Sequence, residues 1–212
     1  MKQLAIVCPS RGRPSHCARM VASALANSDA DVLLYVDTDD PEEASYLESI
    51  IRVTAYKGPP IGRAAAVDAL IAIYPDYRMY LVVSDDIMFM RNGWEKQVVD
   101  AMDSFGDIGI VHLANETGEP YANWVVASKK WIDTLGWFNY PGCRYFCQDT
   151  ILQVLAEALG RIKLIEPAVI HHDVVTHPDT PARLAADQDR FLWYMATEFG
   201  KDLAKLRAAA NT

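Results

Sequence analysis

The most informative stretch of the sequence is Met79-Tyr80-Leu81-Val82-Val83-Ser84-Asp85-Asp86-Ile87-Met88-Phe89. Its apolar run from Tyr80 to Val83 is typical of a strand buried on both faces, as central strands of parallel sheets are. The run ends in two adjacent carboxylates, and ligands of open α/β sheets bind outside the carboxyl ends of the strands. Two carboxylates between apolar runs need a cation to neutralise them, and a divalent metal is the first candidate. The alternative is a solvated turn that caps a helix beginning near Gly93.

The chain before this stretch repeats the pattern of an apolar strand followed by a polar segment. Strands are predicted over 4–8, 32–36 and 50–55, and a helix over 64–73 precedes the strand of the first paragraph. Because helices of suitable length separate the strands, the sequence predicts an α/β fold with an open, mostly parallel, doubly wound sheet. Neither a GxGxxG nor a GxxxxGK[ST] phosphate loop is present in the sequence, which disfavours a dinucleotide dehydrogenase and a P-loop enzyme.

The second half of the chain is more mixed. A helix begins at Gly93-Trp94, and strands are predicted over 108–113, 124–127, 162–165 and 168–170. A helical turn over 129–135 and an aromatic, glycine-containing loop over 138–146 precede a helix over 150–159, which Gln148 and Asp149 open. Apolar positions from 184 to 206 suit one amphipathic C-terminal helix over about 181–207. We expect one domain over 1–212, with halves of about 1–105 and 106–180 before that helix.

Composition restricts the class of protein. The 212 residues are 51% hydrophobic and carry a net charge of −8, which argues against a general electrostatic grip on nucleic acid. The four cysteines show no CxxC spacing, so we expect reduced, structural thiols. Neither a signal-peptide pattern nor an apolar run of roughly 20 residues is found, so we expect no stable membrane insertion and a cytoplasmic location.

The order of these motifs resembles a GT-A-type glycosyltransferase, and within that superfamily the chain is most similar to the small, single-domain, family-2-like members. The resemblance extends to about Asp173. The motifs that carry it are the first strand with its turn Pro9-Ser10-Arg11-Gly12-Arg13-Pro14, then Tyr35-Val36-Asp37-Thr38-Asp39, Gly62-Arg63 and Ser84-Asp85-Asp86. A bacterial cytoplasm or a phage-infected host is the location that we expect for such an enzyme.

The resemblance implies that Ser84-Asp85-Asp86 is the DxD site, which holds Mn²⁺ or Mg²⁺ against the diphosphate of a sugar nucleotide, with UDP favoured. A divalent ion neutralises the charge that develops on the leaving diphosphate. Asp86 is the expected metal ligand, and Asp85 contacts the metal or the ribose. Ser84 departs from the usual acid at the first position of the motif.

The same resemblance places Pro9, Ser10, Asp37 and Asp39 around the nucleoside. Arg11, Arg13 and Arg63 are candidates to neutralise phosphate, because guanidinium offers a bidentate fork. The alternative for the arginines is a solvent-facing charge or an ion pair with nearby acids. Asp39 and Asp40 have a structural alternative as caps of the helix after Pro41.

The Gln148-Asp149 pair occupies the place of the family's ED motif, in which the aspartate is the general base of inverting transfer. A base is needed because an alcohol is a poor nucleophile until its proton is removed. Gln148 departs from the usual acid of that motif. The structural alternative for Asp149 is an N-cap.

Histidines and aromatic residues complete the candidates. The resemblance implies a histidine ligand to the metal, for which we favour His172 over His171, with His177 third, because at most one of two adjacent strand residues faces the site. Trp137 and Tyr145 flank the loop before Asp149, so they are the candidates for contact with the acceptor.

These residues predict a metal-dependent glycosyltransferase that uses a nucleotide-diphosphate sugar and a hydroxyl acceptor. The acceptor is a carbohydrate or, as an alternative, a hydroxymethylated pyrimidine of phage DNA, with phosphate contacts from the basic residues near 129–130, 144 and 161–163. A sugar-nucleotide nucleotidyltransferase is a second possibility, although its GxGTR-type first loop does not match. The third is a non-catalytic nucleotide-sugar-binding module, which the departures at Ser84 and Gln148 keep open.

Overall fold

A computed structural model describes residues 2–46, 52–114, 121–165, 170–172 and 180–211 of the chain, and for 170–172 it describes the backbone alone. The strands are β1 (Lys2–Ser10), β2 (Asp31–Asp37), β3 (Val53–Gly58), β4 (Tyr77–Val82), β5 (Ile87–Phe89), β6 (Ile110–Leu113), β7 (Trp124–Ser128), β8 (Ile162–Ile165) and β9 (Ile170–His172). The helices are α1 (Pro14–Asn27), α2 (Arg63–Ile73), α3 (Trp94–Ser104), α4 (Lys129–Leu135), α5 (Gln148–Leu159), α6 (Thr180–Thr197) and α7 (Phe199–Ala210).

Seven of these strands form one sheet in the order β3-β2-β1-β4-β7-β6-β8. Within it, β7 pairs antiparallel with both β4 and β6, whereas the other pairs are parallel. The connection from β3 to β4 therefore passes over β2 and β1, and β4 lies on the far side of β1. The direction of winding reverses there, so the gap between the ends of β1 and β4 is a topological switch point. The prediction of an open, mostly parallel sheet is confirmed.

Helices cover both faces of the sheet, as expected for strands whose residues are apolar on both sides. On one face, α1 and α3 pack against alternate residues of β1 such as Leu4 and Ile6. On the other face, α2 packs against β1 and β2, where Ala5 and Val7 lie in the same apolar cluster. Further along the sheet, α4 packs against β4 and β7 and α5 against β6 and β8, and α7 lies against α4 and α5. Because α2 follows β3 and α5 precedes β8, both helices begin at the edge where the parallel strands end. Arg63 and Asp149 are therefore brought to the carboxyl edge of the sheet.

The C-terminal segment differs from the prediction of one helix over about 181–207, because two helices occupy it. The chain breaks at Glu198, and the ring of Phe199 lies 6.5 Å from that of Tyr194 across the break. The break lets Leu203 and Leu206 of α7 enter the core beside α4 and α5. One straight helix would not bring both apolar sets against the domain, since α6 packs mainly against α7 and leaves Leu192 and Trp193 exposed.

The segment after β4 also differs from its prediction. The apolar run that follows the carboxylates forms β5, which pairs antiparallel with β9 in a separate two-stranded sheet. The last predicted strand, over 168–170, lies partly outside the described residues, and β9 extends through His171 and His172. This small sheet places a second strand directly beside the end of the Asp85-Asp86 segment.

Candidate functional site

The switch point between β1 and β4 is occupied by Ser10 and Asp85. The two strands pair in parallel with an offset of 75 residues, as in Lys2 opposite Tyr77, and the same offset sets Ser10 opposite Asp85. The Ser10 hydroxyl donates a 2.5 Å hydrogen bond to Asp85 Oδ2 and lies 3.1 Å from the Tyr46 hydroxyl. Asp85 is completely buried and Asp86 is 6% exposed. The alternative of a solvated turn for this pair is therefore wrong.

Arg13 supplies positive charge to both carboxylates. Its Nη2 lies 2.6 Å from Asp85 Oδ1, and its Nη1 lies 3.3 Å from Asp86 Oδ2. Burial raises the pKa of Asp85, and the Ser10 hydrogen bond and the Arg13 charge act in the opposite direction. The cation that the sequence requires beside these carboxylates is thus, in this structure, an arginine.

The turn that carries Arg13 is fixed by its backbone. Gly12 has a φ of +65°, a left-handed conformation that favours glycine, and its N–H donates to Asp40 Oδ2 at 2.6 Å. The Arg13 N–H donates to the Tyr46 hydroxyl at 3.1 Å. Asp40 also accepts the N–H of Glu42 at 2.9 Å, so this carboxylate closes the turn after β2. It does not cap the short 3₁₀ helix Glu43–Ser45, whose N-cap is Glu42 without a side-chain cap, so the alternative of a helix cap is wrong for it. Arg13 is therefore held over the carboxylates by the turn between β1 and α1.

The chemistry of this donor set fits Mn²⁺ or Mg²⁺. Oxygen ligands suit such ions, and Mg²⁺ is commonly held by one or two carboxylates together with substrate phosphates and water. Among the described side chains, no group of three or more His, Cys, Asp or Glu residues is arranged to hold a metal. Asp85 and Asp86 are the two predicted metal-binding carboxylates that the structure brings together, and their role as ligands stays a prediction.

The backbone of β9 bears on the predicted histidine ligand. In the antiparallel register, His172 lies opposite Ile87, the residue after Asp86, and His171 lies opposite Met88. The backbone of His172 is thus the nearer of the two in register to the carboxylates. His177 lies outside the described residues.

Arg11, Asp37 and Asp39 form a second cluster. The offset of 26 residues between β1 and β2 sets Arg11 beside Asp37, and Arg11 Nη1 donates to Asp37 Oδ2 at 2.9 Å. The same atom also contacts Asp39 Oδ1. Arg11 is exposed, and it forms ion pairs with nearby acids, which is the alternative that the sequence left open for this arginine. Pro9, half-buried at the end of β1, lies opposite Tyr35 of β2.

Asp149 lies in the first turn of α5, but it is not the N-cap. Cys147 occupies that position with a φ of +62° and makes no side-chain cap. Asp149 Oδ1 accepts the Thr150 N–H at 2.7 Å. Burial raises the pKa of Asp149, and the Thr150 amide and the positive charge of Arg63 partly offset this. A carboxylate with a raised pKa is a stronger base than an exposed one.

A small cavity of about 40 Å³ adjoins Asp149. Its polar lining includes Arg63 of α2 and Tyr145, and its apolar floor is formed by the side chains of Val82, Val125 and Leu152. Arg63, the predicted charge-neutralising arginine, and Asp149, the predicted base, therefore line one cavity at the carboxyl edge of the sheet.

The loop from Phe138 to Phe146 is anchored by three side chains from three different helices. Asp68 of α2 accepts the N–H of Phe138 at 2.8 Å, and Gln148 of α5 donates to the carbonyl of Cys143 at 2.6 Å. Asp187 of α6, which is 4% exposed, accepts the N–H groups of residues 144, 145 and 146 at 3.0, 2.8 and 2.8 Å. The loop is therefore fixed from outside its own sequence.

Sequence reasoning missed Asp68 and Asp187. A signal for the latter was present, since Leu184, Asp187, Phe191 and Tyr194 share one face of the helix at spacings of 3 and 4. An aspartate in such a row must be hydrogen-bonded, because an unpaired buried carboxylate is costly.

The predicted acceptor residues lie on a larger cavity of about 1080 Å³ between α2, α4 and the loop. Trp137 and Tyr145 both line it, and Tyr145 also lines the small cavity of Asp149. Trp137 is packed against the rings of Tyr140 and Tyr194, at 5.7 and 6.4 Å between centroids. Tyr145 is 41% exposed, and the guanidinium of Arg183 lies 4.4 Å above its ring. Tyr145 is therefore the aromatic residue common to both cavities.

No helix of the described chain combines the length and the apolar character that crossing a membrane would require.

No family model matches the chain. Among curated proteins, the Kelch repeat protein C2 of cowpox virus (strain GRI-90 / Grishak) is 31% identical over 97 residues, covering 41% of this chain and 19% of its own length. The Kelch repeat protein C2 of vaccinia virus (strain Western Reserve) is 30% identical over the same shares. The chain thus spans about a fifth of the length of these curated relatives, so the match assigns no family.

Solved structures match over nearly the whole chain at low identity. The first 349 residues of TarS of S. aureus superpose with a TM-score of 0.62 at 10% identity, over 98% of this chain and 71% of that one. The same TarS segment in complex with UDP-GlcNAc gives 0.59 at 10% identity, over 82% and 59%. The mannosyltransferase PcManGT from Pyrobaculum calidifontis, in complex with GDP-Man and Mn²⁺, gives 0.61 at 10% identity, over 98% and 73%. The chain has the GT-A, Rossmann-like α/β fold that the sequence predicted.

Proposed function

We propose that this protein is a metal-dependent glycosyltransferase that moves a sugar from a nucleotide-diphosphate sugar to a hydroxyl group of an acceptor. The observation that carries the proposal is the pairing of two acidic centres at the carboxyl edge of one sheet. One is the buried Asp85-Asp86 pair at the switch point, and the other is Asp149 with its raised pKa at the start of α5. The complexes of solved neighbours with UDP-GlcNAc and with GDP-Man and Mn²⁺ support this assignment by analogy of fold.

The proposed reaction separates two tasks between these centres. Asp149 takes the proton of the acceptor hydroxyl while its oxygen forms a bond to the anomeric carbon of the sugar. The bond from that carbon to the diphosphate oxygen breaks, and its electron pair leaves with the nucleoside diphosphate. Attack from the side opposite to the leaving group inverts the anomeric configuration. UDP is the favoured nucleotide.

The second task is to neutralise the negative charge that develops on the leaving diphosphate. Asp85 and Asp86 would hold Mn²⁺ or Mg²⁺, with His172 as the proposed third ligand, and the bound ion would neutralise that charge on the diphosphate. Arg13 and Arg63 lie at the same edge of the sheet and add positive charge there. Arg11, Asp37 and Asp39 follow the ends of β1 and β2, where Pro9 and Ser10 also lie, and we assign this cluster to the nucleoside.

A carbohydrate is the favoured acceptor. The larger cavity carries the aromatic residues Trp137 and Tyr145, and aromatic faces stack on sugar rings. Its charged lining is balanced, with two carboxylates and two cations, of which Lys129 pairs with Asp133. Arg161, one of the basic residues considered for contacts with DNA, instead donates to the carbonyl of Phe105 at 2.5 Å. These contacts leave DNA as the less favoured acceptor.

The proposed function is tested by separating donor binding from transfer in Asp149→Asn. Binding of UDP, GDP, UDP-GlcNAc and GDP-mannose is measured with Mn²⁺, and release of nucleoside diphosphate is measured with a panel of saccharides and with hydroxymethylated DNA. We expect the variant to bind the donor as the wild type does and to lose transfer by about 10²–10⁴-fold. A wild type that binds a donor but turns over no acceptor would instead indicate a binding module. A wild type that binds no nucleotide contradicts the proposal.

A further inference from the structure

Gln148 is one of the two residues at which the chain departs from the resemblance, and its contacts explain this departure. It is 5% exposed, and its Nε2 donates to the carbonyl of Cys143 at 2.6 Å and to the carbonyl of Tyr140 at 3.1 Å. Both partners are acceptors, so they fix the nitrogen of the amide on the side of the loop. A glutamate here would set a carboxylate oxygen against two carbonyl oxygens. The structure therefore calls for a hydrogen-bond donor at this position, which glutamine supplies and glutamate does not.

The oxygen atom of the same amide suggests contact with a ligand. Gln148 Oε1 is buried and has no hydrogen-bond partner in the described part of the chain. Gln148 lines the small cavity that Asp149 and Arg63 also line. A buried acceptor without a partner destabilises the folded state, so such atoms in native proteins call for an explanation. A ligand that donates a hydrogen bond would satisfy this oxygen.

The cavity restricts what that ligand group is. About 40 Å³ is enough for a hydroxyl group with its carbon, since one water needs about 10–15 Å³. Its lining also includes Asn123, Asn139 and Tyr145, a mixed polar and aromatic set of residues that suits a polyol.

We propose that Gln148 is a specificity-determining residue whose Oε1 accepts a hydrogen bond from a hydroxyl group of the substrate bound beside Asp149. The inference rests on the proposed function and deepens it, because it assigns a hydroxyl-reading contact to the same site. The hydroxyl belongs either to the sugar of the donor or to the acceptor. Nε2 holds the loop through the carbonyls of Tyr140 and Cys143, while Oε1 accepts the hydrogen bond from the substrate hydroxyl. One amide side chain thus links the position of the loop to substrate binding.

The test compares Gln148→Met with Gln153→Met, a glutamine on the same helix whose Oε1 accepts the Ala122 N–H at 3.1 Å and which does not line the cavity. Dissociation constants of UDP and UDP-GlcNAc, and of GDP and GDP-mannose, are measured with Mn²⁺. Release of nucleoside diphosphate is measured with and without glycerol as a hydroxyl acceptor. One neutral hydrogen bond corresponds to about a three- to tenfold change.

A loss of that size in the affinity for the nucleotide sugar relative to its nucleoside diphosphate, in Gln148→Met alone, places the hydroxyl on the donor sugar. An unchanged ratio with a glycerol-dependent release that falls three- to tenfold below that of Gln153→Met places it on the acceptor. If Gln148→Met equals Gln153→Met in both measurements, the inference is overturned. A wild type that binds none of the four nucleotides overturns the proposed function itself, and this inference with it.

Gln148→Glu separates recognition from a purely structural role. This variant keeps an acceptor oxygen toward the cavity but loses the donor to the carbonyls of Tyr140 and Cys143. We expect its Tm to fall while its preference for nucleotide sugar over nucleoside diphosphate, or its response to glycerol, stays that of the wild type. If Gln148→Glu loses discrimination as fully as Gln148→Met does, Gln148 acts only through the loop and the proposal is contradicted.

Discussion

Asp149 shows how one half-buried carboxylate can weaken the fold and, in the proposed reaction, serve as the base. Burial raises the pKa of its carboxyl, so the folded state holds the proton more tightly than the unfolded state, where an aspartate has a pKa of about 3.9. Because the folded pKa is the higher one, stability falls as the pH rises from the unfolded pKa through the folded one. At neutral pH the cost is complete, and the same shift makes the carboxylate a better base.

Replacing Asp149 by asparagine is therefore expected to raise Tm at pH 7, because the neutral amide still accepts the Thr150 N–H and carries no buried charge. The gain should shrink as the pH falls toward the unfolded pKa of about 3.9 and vanish near pH 3, where the wild-type carboxyl is protonated in both states. Thermal unfolding from pH 3 to pH 8 measures this. In the wild type, the acidic limb of kcat/KM should lie above the range of an ordinary aspartate, since the base must be ionised. A variant that is less stable than the wild type at pH 7 would show that the carboxylate is stabilising and that burial does not dominate.

Arg13 pairs with the two carboxylates that the proposed divalent ion would use, so the two cations would compete. Without metal, removing Arg13 leaves buried negative charge uncompensated, which is costly. We expect Arg13→Met to lower Tm in the presence of chelator and Mn²⁺ to restore much of the loss. The Mn²⁺-dependent rise in Tm should exceed that of the wild type.

Arg11→Met is the matched control, because Arg11 pairs with Asp37 and Asp39 and leaves the buried pair untouched. Its response to Mn²⁺ should equal that of the wild type. If Arg13→Met responds to Mn²⁺ no more than Arg11→Met does, the Asp85-Asp86 pair is not a metal site.

At the scale of elements, the local sequence is sufficient to predict those strands and helices whose apolar pattern and flanking residues indicate the same structure. The helix α5 begins and ends at Gln148 and Leu159, close to its predicted bounds, and Gly160 closes it with a φ of +67°. The strands β1 and β2 were recognised because their residues are apolar on both faces. The pairing of β5 with β9 and the break at Glu198 were not predicted, because both depend on partners far away in the sequence.

The loop from Phe138 to Phe146 depends on the carboxylate of Asp187 in α6. Hydrogen bonds from N–H groups to a charged acceptor contribute about 1.5–3 kcal/mol. Asp187→Asn replaces one acceptor oxygen by a donor that faces backbone N–H groups, so we expect a lower Tm by several degrees. If the loop positions the acceptor, the KM for the acceptor should rise while the Kd for the nucleotide stays unchanged.

Asp189→Asn is the control on the same helix, since Asp189 is exposed. It should match the wild type in Tm and in KM. Equal Tm values for Asp187→Asn and Asp189→Asn would contradict the anchoring role, and a nucleotide Kd raised by Asp187→Asn would show that the loop acts on the donor side.

At the scale of the whole molecule, the sheet register assembles the site. Offsets of 75 and 26 residues between neighbouring strands bring Ser10 to Asp85 and Arg11 to Asp37. These contacts could be anticipated, because the residues follow strands that were recognisable and that end at one edge. The contacts of Arg13 with both carboxylates, and the anchoring by Asp68, Gln148 and Asp187, could not. The spacing of residues along α6 indicates that Asp187 is buried, but the partners of all four residues depend on turn geometry and on packing between segments far apart in the sequence.

The balance of charge is also a property of the whole chain. A net charge of −8 leaves a negative protein around a site that, in the proposed function, admits a negatively charged nucleotide sugar. The arginines at the carboxyl edge supply the local positive charge, and a divalent ion would add to it. Donor binding should therefore depend strongly on the metal.

The most direct test of this account is thermal unfolding with UDP, GDP, UDP-GlcNAc and GDP-mannose, each with Mn²⁺ and with chelator, for the wild type and Asp86→Asn. A ligand at 100 times its Kd stabilises the folded state by about 2.7 kcal/mol, which corresponds to a rise in Tm of about 5–10 °C for a chain of this size. We predict such a rise with the nucleotides of one base, only in the presence of Mn²⁺, and its loss in Asp86→Asn. No rise with any of the four nucleotides, or a rise that Asp86→Asn retains in full, would contradict the assignment of the Asp85-Asp86 edge as a metal-dependent nucleotide-sugar site.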